Sequence, residues 1–284
     1  MQILIFGRNG QLGSSLFSLL SETHQVTALD QADLDLSKVD QIEATIASHR
    51  PDWVINASAY TAVDRAEQEP QLADAINHLA PAAMARACKK QQCGFLHYST
   101  YYVFDGEDDR PYLESDSPNP KSVYGETKLA GERAVMQAYP QAIILRTAWV
   151  YAKEGANFVN TMLRLATERD ELGVVEDQFG SPTLAYDLAL ASVPIIENTA
   201  LDELDKVAGL YHATGSGMTS WYGFAREIFS LTGKDVVVKG IPTEAYPTPA
   251  HRPHYSVLSN QKLQRVFGIS LPDWKISLAK TLSR

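Results

Sequence analysis

The stretch QILIFGRNGQLGSSLFSLL, residues 2–20, places a strand, a glycine-rich turn and a helix in direct succession. QILIF is a continuous apolar run, typical of a strand covered on both faces, and Gln11 to Leu20 has helical apolar spacing. In the turn, Gly7, Gly10 and Gly13 are spaced G-x-x-G-x-x-G. Such a turn lets backbone N–H groups and a helix N-terminus approach a pyrophosphate. A plain tight turn is the alternative, but the strand-to-helix context favours a dinucleotide site.

The same alternation of strand and helix patterns continues through the first half of the chain. Further predicted strands are QVTAL, WVINAS, GFLHYS and AIILRT, and further predicted helices cover 39–49, 72–92 and the region of Tyr124. Strands separated by helices of this length pair in parallel through right-handed crossovers. The sequence therefore predicts an α/β fold with a doubly wound, Rossmann-type parallel sheet.

The pattern weakens after Thr147. Helices are predicted over 158–169, 184–197 and 220–233, and strands over 172–175, 209–214 and 235–240. Segment 241–257 is rich in proline and is predicted to be an extended loop. We expect residues 1–150 to form the dinucleotide-binding Rossmann domain. Residues 151–284 are expected to complete the sheet and form a smaller C-terminal substrate lobe.

Composition excludes several classes of function. The chain has 284 residues, 45% hydrophobic and 21% charged, which is ordinary for a globular protein. A net charge of −9 without a Lys/Arg-rich run argues against a nucleic-acid partner. Cys88 and Cys93 lack metal-ligand spacing, which indicates reduced, inert thiols. The sequence has no signal-peptide pattern and no apolar run of about 18 residues. It therefore predicts a cytoplasmic protein with no membrane partner.

Residues after the second and third predicted strands complete the expected dinucleotide site. Asp30 ends the second strand, where a carboxylate can accept hydrogen bonds from ribose hydroxyls and disfavours a 2′-phosphate. Arg8 in the glycine turn would offset that charge, so both NADH and NADPH stay open. The segment DLDL, residues 33–36, fits either an adenine-edge loop or a surface turn. Small residues in NASAYTAVDRAE would let the backbone lie close to the dinucleotide.

Hydroxyl groups and a lysine mark the chemical end of the site. Ser99 and Thr100 close the fourth predicted strand, and Tyr124 stands four residues before Lys128 on the next helix. That spacing puts Tyr124 and Lys128 on one helical face, which alone also fits two solvated side chains. Together with Thr100 and the glycine turn, however, the set resembles the short-chain dehydrogenase/reductase superfamily.

The chemistry of ketone reduction explains these residue types. Hydride addition builds negative charge on the ketone oxygen, which needs a proton from a positioned acid. An unperturbed Tyr, with a pKa of about 10, is a poor proton relay at neutral pH. A Lys ammonium and the oxidised nicotinamide would stabilise tyrosinate and lower that pKa. We therefore expect Tyr124 to give the proton and Thr100 to orient the carbonyl. Lys128 is expected to lower the pKa of Tyr124 and to hold the nicotinamide ribose.

Motifs spread nearly end to end resemble the dTDP-4-dehydrorhamnose reductase family. They are GRNGQLG, AYTAVDRAE, HYSTYYVFDG, YGETKLAGE, RTAWVYA, NFVNTMLRLA, DQFGSPT, GLYHATGSG and YPTPAHRPHYSVLSN. The C-terminal motifs are not shared by short-chain reductases at large. The resemblance implies that NADPH or NADH reduces the C4 ketone of dTDP-4-dehydro-β-L-rhamnose to give dTDP-β-L-rhamnose, a precursor of cell-surface polysaccharides such as lipopolysaccharide.

The resemblance also implies roles for individual residues. The implied cofactor contacts are Gly7, Gly10, Gln11, Leu12, Gly13, Asp30, Asp35, Leu36, Ala59, Tyr60, Thr61, Tyr124 and Lys128. The implied substrate contacts are Val63, Thr100, Tyr101, Tyr102, Trp149 and Arg252. Trp149 could instead be a core aromatic, because it follows a buried strand. Arg252 could bind the substrate diphosphate through its guanidinium, or be an ordinary surface residue.

Two positions depart from the family pattern. Many members read S-T-D-Y-V-F where this chain reads STYYVF, so Tyr101 stands in place of an aspartate and carries no negative charge. That change could alter activity or substrate preference. Some members use a glutamate after the glycine turn in a magnesium-linked dimer, where this chain has Ser14 and Ser15. No metal site is therefore predicted, and a homodimer stays open.

Two rival functions remain at this stage. One is a reductase of another nucleotide-linked 4-keto sugar. The other is a non-catalytic NAD(P)-binding regulatory subunit, like the β subunit of methionine adenosyltransferase, which keeps this fold. The intact Y-x-x-x-K motif disfavours the second rival.

Overall fold

The computed structural model describes residues 1–283, and its strands fall into one large sheet and three small ones. The strands are β1 (Gln2–Phe6), β2 (Gln25–Leu29), β3 (Trp53–Asn56), β4 (Gly94–Thr100), β5 (Ile143–Thr147), β6 (Val150–Tyr151), β7 (Glu171–Val175), β8 (Phe179–Gly180), β9 (Thr183–Leu184), β10 (Gly209–His212), β11 (Thr219–Ser220) and β12 (Val237–Ile241). The large sheet has six strands in the order β10-β5-β4-β3-β1-β2.

Every pair of neighbours in the large sheet is parallel. Strands β3, β4 and β5 are buried along their whole length, as expected for a sheet covered on both faces. The chain runs from β1 outward to β2 and then crosses back to β3, so the direction of winding reverses between β1 and β3. The carboxyl ends of these two strands therefore flank the crevice where such sheets bind ligands.

Helices cover both faces of the sheet, which confirms the predicted doubly wound α/β fold. The helices are α1 (Gln11–Leu20), α2 (Ile42–His49), α3 (Val63–Ala66), α4 (Pro70–Asp74), α5 (Ala80–Gln91), α6 (Val123–Ala138), α7 (Phe158–Leu165), α8 (Ala185–Glu197), α9 (Leu204–Val207), α10 (Trp221–Thr232), α11 (Gln261–Phe267) and α12 (Trp274–Leu282). Apolar residues of α1 and α8 pack on one face, and those of α2 and α5 pack on the other. Within residues 1–283, no helix is long and apolar enough to cross a membrane.

The helix predicted over 72–92 contains a π-helical turn, Ala75–Leu79, between α4 and α5. This turn directs the side chain of Asn77 inward, where it is fully buried. Its amide exchanges two hydrogen bonds with the backbone of Tyr60, so the polar groups of both residues have partners. A wider turn of this kind often occurs where a buried polar group has a function.

The second half of the chain packs around an apolar cluster at the carboxyl end of the sheet. The cluster draws residues from α7, α10, α12 and the segments after β4 and β5. Strand β10 adds the sixth strand to the large sheet, while β7 pairs in parallel with β12. The predicted helix over 158–169 ends at Leu165, and α11 and α12 lie beyond the predicted elements. The proline-rich loop has only one short 3-10 turn, Thr243–Ala245.

Candidate active site

The glycine turn brings α1 against the ends of β1 and β3. Gly7 has φ +96°, and a Cβ on it would lie 2.8 Å from the backbone nitrogen of Ser58. A Cβ on Gly13 would overlap the carbonyl of Gly7. Gly10 begins α1 without a side-chain cap, so the first backbone N–H groups are free for an external acceptor. The turn thus forms the kind of backbone cradle that accepts a pyrophosphate.

Asp30 lies beside this cradle. It lines an open cleft of about 580 Å³ together with Asn9, Gly10 and Gln31. Its carboxylate accepts hydrogen bonds from the side-chain amide of Asn9 and from the backbone N–H of Ala32. Arg8 extends in another direction, with its guanidinium carbon 5.4 Å from the centre of the Phe17 ring. Asn9, rather than Arg8, is therefore the neighbour of the Asp30 carboxylate.

The predicted adenine-edge loop follows Asp30. Asp35 accepts hydrogen bonds from the backbone N–H and hydroxyl of Ser37, at 3.0 and 2.8 Å. The hydroxyl of Ser37 is the main reason that the pKa of Asp35 lies below its usual range. Leu36 packs against the core cluster under the sheet. The hydrogen bonds of Asp35 are those of a tight turn, and Asp33 links this segment to the cleft by accepting from the backbone N–H of Asp30.

Asn77 fixes the loop that follows β3 and contains Ala59, Tyr60 and Thr61. Its Oδ1 accepts from the backbone N–H of Tyr60 at 2.9 Å, and its Nδ2 donates to the carbonyl of Tyr60 at 3.2 Å. The same Nδ2 lies 3.3 Å from the hydroxyl of Thr127 on α6. Sequence reasoning missed Asn77, although an asparagine within an Ala-rich helix is a signal, since Asn disfavours helix interiors.

Tyr124 and Lys128 lie on α6, which Ser122 begins by accepting a hydrogen bond from the backbone of Gly125. The relative exposure of Tyr124 is 9% and that of Lys128 is 2%. A Cβ on Gly125 would overlap the carbonyl of Tyr102, so this glycine lets α6 approach the segment after β4. Neither side chain lies on a solvated helix face, which removes the alternative that the motif alone left open.

Burial moves the two pKa values in opposite directions. It raises the pKa of Tyr124 to about 12, and a hydrogen bond with Thr100 opposes the rise. It lowers the pKa of Lys128 to about 8, and the charge of Glu132 opposes the fall. The pKa of the Tyr124 phenol therefore lies above its usual range, because desolvation outweighs the hydrogen bond with Thr100. Such a tyrosine holds its proton at neutral pH, as an acid must.

Lys128 is held by groups in the middle of β4. Its Nζ donates to the carbonyl of Tyr98 at 2.7 Å and lies 3.5 Å from Nε2 of His97. One turn further along α6, Glu132 forms a buried ion pair with Arg146 of β5, at 2.6 Å. Sequence reasoning missed His97 as well. Its signal is a polar residue inside the otherwise apolar run GFLHYS.

The segment after β4 brings three of the predicted residues together. Thr100 is buried, and its hydroxyl oxygen accepts from the backbone N–H of Tyr102 at 3.2 Å. The ring of Tyr102 meets that of Tyr124 edge-on, with centroids 5.3 Å apart. Tyr101 packs on Tyr102, and burial raises the pKa of its phenol. Tyr101 is therefore a neutral phenol, with no negative charge beside Thr100.

Trp149 and Val63 border the same apolar cluster as Tyr124. Trp149 is buried and stacks on Trp221, with centroids 3.5 Å apart. It also has φ +47°, which is rare for a bulky residue and recurs at functional sites. Trp149 is thus a buried aromatic in an unusual backbone conformation, beside the cluster that contains Tyr124.

Arg252 reaches inward from the proline-rich loop. It donates to the carboxylate of Asp64 at 2.7 Å, and its guanidinium carbon lies 5.9 Å from the centre of the Tyr102 ring. Its Nη1 is buried without a hydrogen-bond partner. Arg252 also lines a pocket of about 510 Å³ with Val174, Trp221 and other residues. The geometry therefore differs from that of an ordinary surface arginine.

The crevice between these groups fits a nicotinamide dinucleotide. The hydroxyls of Ser99 and Thr147, at the carboxyl ends of β4 and β5, are buried without hydrogen-bond partners. Such orphaned groups call for a partner that the protein itself does not provide. The uncapped α1 and the glycine cradle lie at the same end of the sheet. Within residues 1–283, no group of three or more His, Cys, Asp or Glu side chains could hold a metal ion.

Known proteins resemble this chain over its whole length. The family described as RmlD substrate binding domain matches residues 1–284. The dTDP-4-dehydrorhamnose reductase of Escherichia coli K12 is 44% identical over 293 residues, covering 100% of this chain and 97% of that protein.

Two solved structures are also similar. A dTDP-4-dehydrorhamnose reductase of Clostridium acetobutylicum has a TM-score of 0.94 at 43% identity and covers 99% of this chain and 98% of its own. The Bacillus anthracis enzyme, solved in complex with NADP, has a TM-score of 0.92 at 36% identity, with the same coverages.

Proposed function

Because the chain belongs to the dTDP-4-dehydrorhamnose reductase family, we propose that it reduces the C4 ketone of dTDP-4-dehydro-β-L-rhamnose with NADPH or NADH. The product is dTDP-β-L-rhamnose. The chain is thus an NAD(P)H-dependent oxidoreductase of the short-chain dehydrogenase/reductase type. The observation that carries the proposal is the burial of Thr100, Tyr124 and Lys128 at the sheet end that also holds the glycine cradle.

The proposed cofactor site runs from the glycine turn to Lys128. The pyrophosphate would lie on the free N–H groups at the start of α1, and Asp30 would accept from the adenosine ribose. The remaining hydrogens of the Lys128 ammonium would bind the nicotinamide ribose. When bound, the reduced nicotinamide supplies the hydride that is added to C4. The complex of the Bacillus anthracis relative with NADP supports this assignment.

Three side chains supply the rest of the chemistry. Because the oxygen of Thr100 accepts from Tyr102, its O–H can donate to the ketone oxygen. Tyr124, kept protonated by burial, gives its proton to that oxygen as the C–H bond forms. The positive charge of Lys128 stabilises the phenolate that remains. The product is a neutral alcohol, so the proton and the hydride are both accounted for.

The nucleotide of the substrate is assigned to the pocket beside Arg252. Asp64 holds one arm of the Arg252 guanidinium, while the buried Nη1 has no partner and is available to a diphosphate oxygen. The apolar wall that includes Val174 and Trp221 suits a pyrimidine base. Tyr102, which contacts both Tyr124 and Arg252, would then separate the sugar from the diphosphate. Val63, Tyr101 and Trp149 complete the proposed sugar site.

The remaining parts of the proposal concern organisation. Residues 1–150 bind the cofactor, and residues 151–284 complete the sheet and supply the substrate lobe. The reaction takes place in the cytoplasm, where nucleotide sugars and reduced nicotinamides are made.

A homodimer is the assembly we would test, since Tyr186 and Leu190 leave apolar surface exposed along α8. Light scattering on the purified protein measures its mass directly.

Oxidation of NADPH by freshly made dTDP-4-dehydrorhamnose tests the function. We expect loss of absorbance of the reduced nicotinamide and formation of dTDP-rhamnose, and repeating the assay with NADH gives the cofactor preference. No oxidation above an enzyme-free blank would contradict the proposal. Faster turnover with another nucleotide-linked 4-keto sugar would assign the chain to that substrate instead. NADPH binding without turnover of any such sugar would favour the regulatory-subunit alternative.

A further inference from the structure

His97 is a buried imidazole that the proposed reaction does not use. It lies in the middle of β4, with no exposed surface, three residues before Thr100. Its Nδ1 lies 3.0 Å from Nδ2 of Asn56 on β3, and its Nε2 lies 3.5 Å from Nζ of Lys128. The imidazole therefore stands between a buried amide and the predicted catalytic lysine.

Asn56 determines which ring nitrogen carries the proton. Its Oδ1 accepts from both the backbone N–H and the hydroxyl of Ser58, at 3.1 and 2.5 Å. That arrangement assigns Nδ2 to the side facing His97, and an amide nitrogen can only donate. Nδ1 of His97 is therefore the acceptor, and the proton of the neutral ring lies on Nε2.

The ring is neutral and its N–H is directed at the lysine. Burial, aided by the charge of Lys128, holds the pKa of His97 well below its usual range. The Nε2–H consequently faces Nζ across 3.5 Å. Opposite an ammonium, this N–H is a donor facing a donor. Opposite a neutral amine, it can donate to the nitrogen lone pair.

Few groups around Lys128 oppose this effect. The carbonyl of Tyr98 accepts one hydrogen from Nζ in either charge state. Glu132, one turn further along α6, favours the ammonium, but both of its oxygens accept from Arg146, at 2.8 and 2.6 Å. Tyr124, one turn earlier on α6, is a neutral phenol near neutral pH, because burial raises its pKa to about 12. Among residues 1–283, no carboxylate forms an ion pair with Lys128 itself.

We propose that His97, oriented by Asn56, is a positioning residue that destabilises the ammonium form of Lys128 and so sets the pH at which this lysine loses its charge. The effect on reduction rests on the proposed function, because there the charge of Lys128 stabilises the phenolate. The effect on the lysine itself does not. A lysine so placed would limit activity on the alkaline side through its own titration.

Titration of Lys128 in the cofactor-free protein tests the inference directly. The protein is labelled with 13C-lysine, and the Cε signal of Lys128 is assigned by its loss in Lys128→Arg. The wild-type signal should titrate with a pKa near the value of about 8 that burial produces. In His97→Leu, which has no N–H, the midpoint should rise by about one unit or more. In His97→Gln it should stay near wild type, since the amide can accept from Asn56 and donate towards Nζ.

His212 provides a matched control. It is a fully buried, neutral histidine on β10, and its ring pairs with the carbonyl of Tyr112 rather than with a lysine. His212→Leu should leave the titration of Lys128 unchanged. A shift as large as that of His97→Leu would mean that general loosening of the sheet moves the lysine, and would overturn the inference.

Asn56→Asp provides a second route that leaves His97 in place. A carboxylate opposite Nδ1 would draw the proton to that nitrogen and turn the lone pair of Nε2 towards Nζ. The midpoint of Lys128 should then rise. The inference is overturned if His97→Leu does not raise the midpoint, if Asn56→Asp does not raise it, or if His97→Gln shifts as much as His97→Leu. Because the readout is independent of turnover, an inactive protein that shows these shifts would contradict only the proposed function.

Discussion

The two ends of the candidate site are built in opposite ways. At the cofactor end, the glycine turn offers backbone N–H groups, and its residues Arg8, Asn9 and Gly10 are partly or largely exposed. At the chemical end, Tyr124 and Lys128 are buried within the core. The first end depends on glycines, which leave the backbone uncovered, whereas the second depends on buried polar side chains such as Lys128, which donates to the carbonyl of Tyr98. Substitutions should therefore affect ligand binding at one end and folding stability at the other.

Glu132→Gln should give the largest loss of stability. It leaves the buried guanidinium of Arg146 without its counter-charge, which costs about 3–5 kcal/mol in the free energy of unfolding. Chemical denaturation measures the loss. Glu168→Gln is the matched control, because its pair with Arg164 is solvent-exposed and should change stability by less than about 1 kcal/mol. Equal losses of unfolding free energy in both variants would contradict the expectation that the buried ion pair contributes more to stability than the exposed one.

Gly13→Val should distort the glycine turn and so weaken cofactor binding. Its side chain would overlap the carbonyl of Gly7 and force the glycine turn away from α1, which should lower the affinity for NADPH roughly 10- to 100-fold, or about 1.4–2.8 kcal/mol. Calorimetric titration with NADPH measures the affinity. Gly268→Asn is the control, because a Cβ there meets nothing within 4 Å and Asn tolerates its positive φ. Unchanged NADPH affinity in Gly13→Val would contradict the proposal that the glycine turn binds the pyrophosphate.

Arg252→Lys should have a smaller and more specific effect. A lysine keeps the charge but loses the fork that reaches both Asp64 and a diphosphate oxygen, which should cost about 1.4 kcal/mol, or tenfold in dTDP affinity. NADPH affinity should not change, since Arg252 lies at the substrate end. An equal fall in affinity for both nucleotides would show that the variant disturbs the whole site rather than the diphosphate contact.

Sequence patterns revealed the two ends to different degrees. Strands β1 and β2 and helix α1 have the predicted bounds, because continuous apolar runs and the glycine turn are local signals. The π-helical turn at Asn77 was not predictable, since it depends on pairing with the distant loop at Tyr60. His97, which lies beside Lys128, was missed for the same reason, since it meets its partner Asn56 only once β3 and β4 pair. The short strands of the second half likewise arise from long-range pairing rather than from local spacing.

The most direct test of the central claim is the rate of ketone reduction in Tyr124→Phe. Tyr98→Phe is the matched control, because Tyr98 is a buried tyrosine whose phenol binds Ser192 rather than the catalytic set. We expect Tyr124→Phe to bind NADPH with wild-type affinity and to reduce dTDP-4-dehydrorhamnose roughly 10²- to 10⁴-fold more slowly, while Tyr98→Phe remains active. A Tyr124→Phe enzyme that turns over at the wild-type rate would contradict the assignment of Tyr124 as the proton donor.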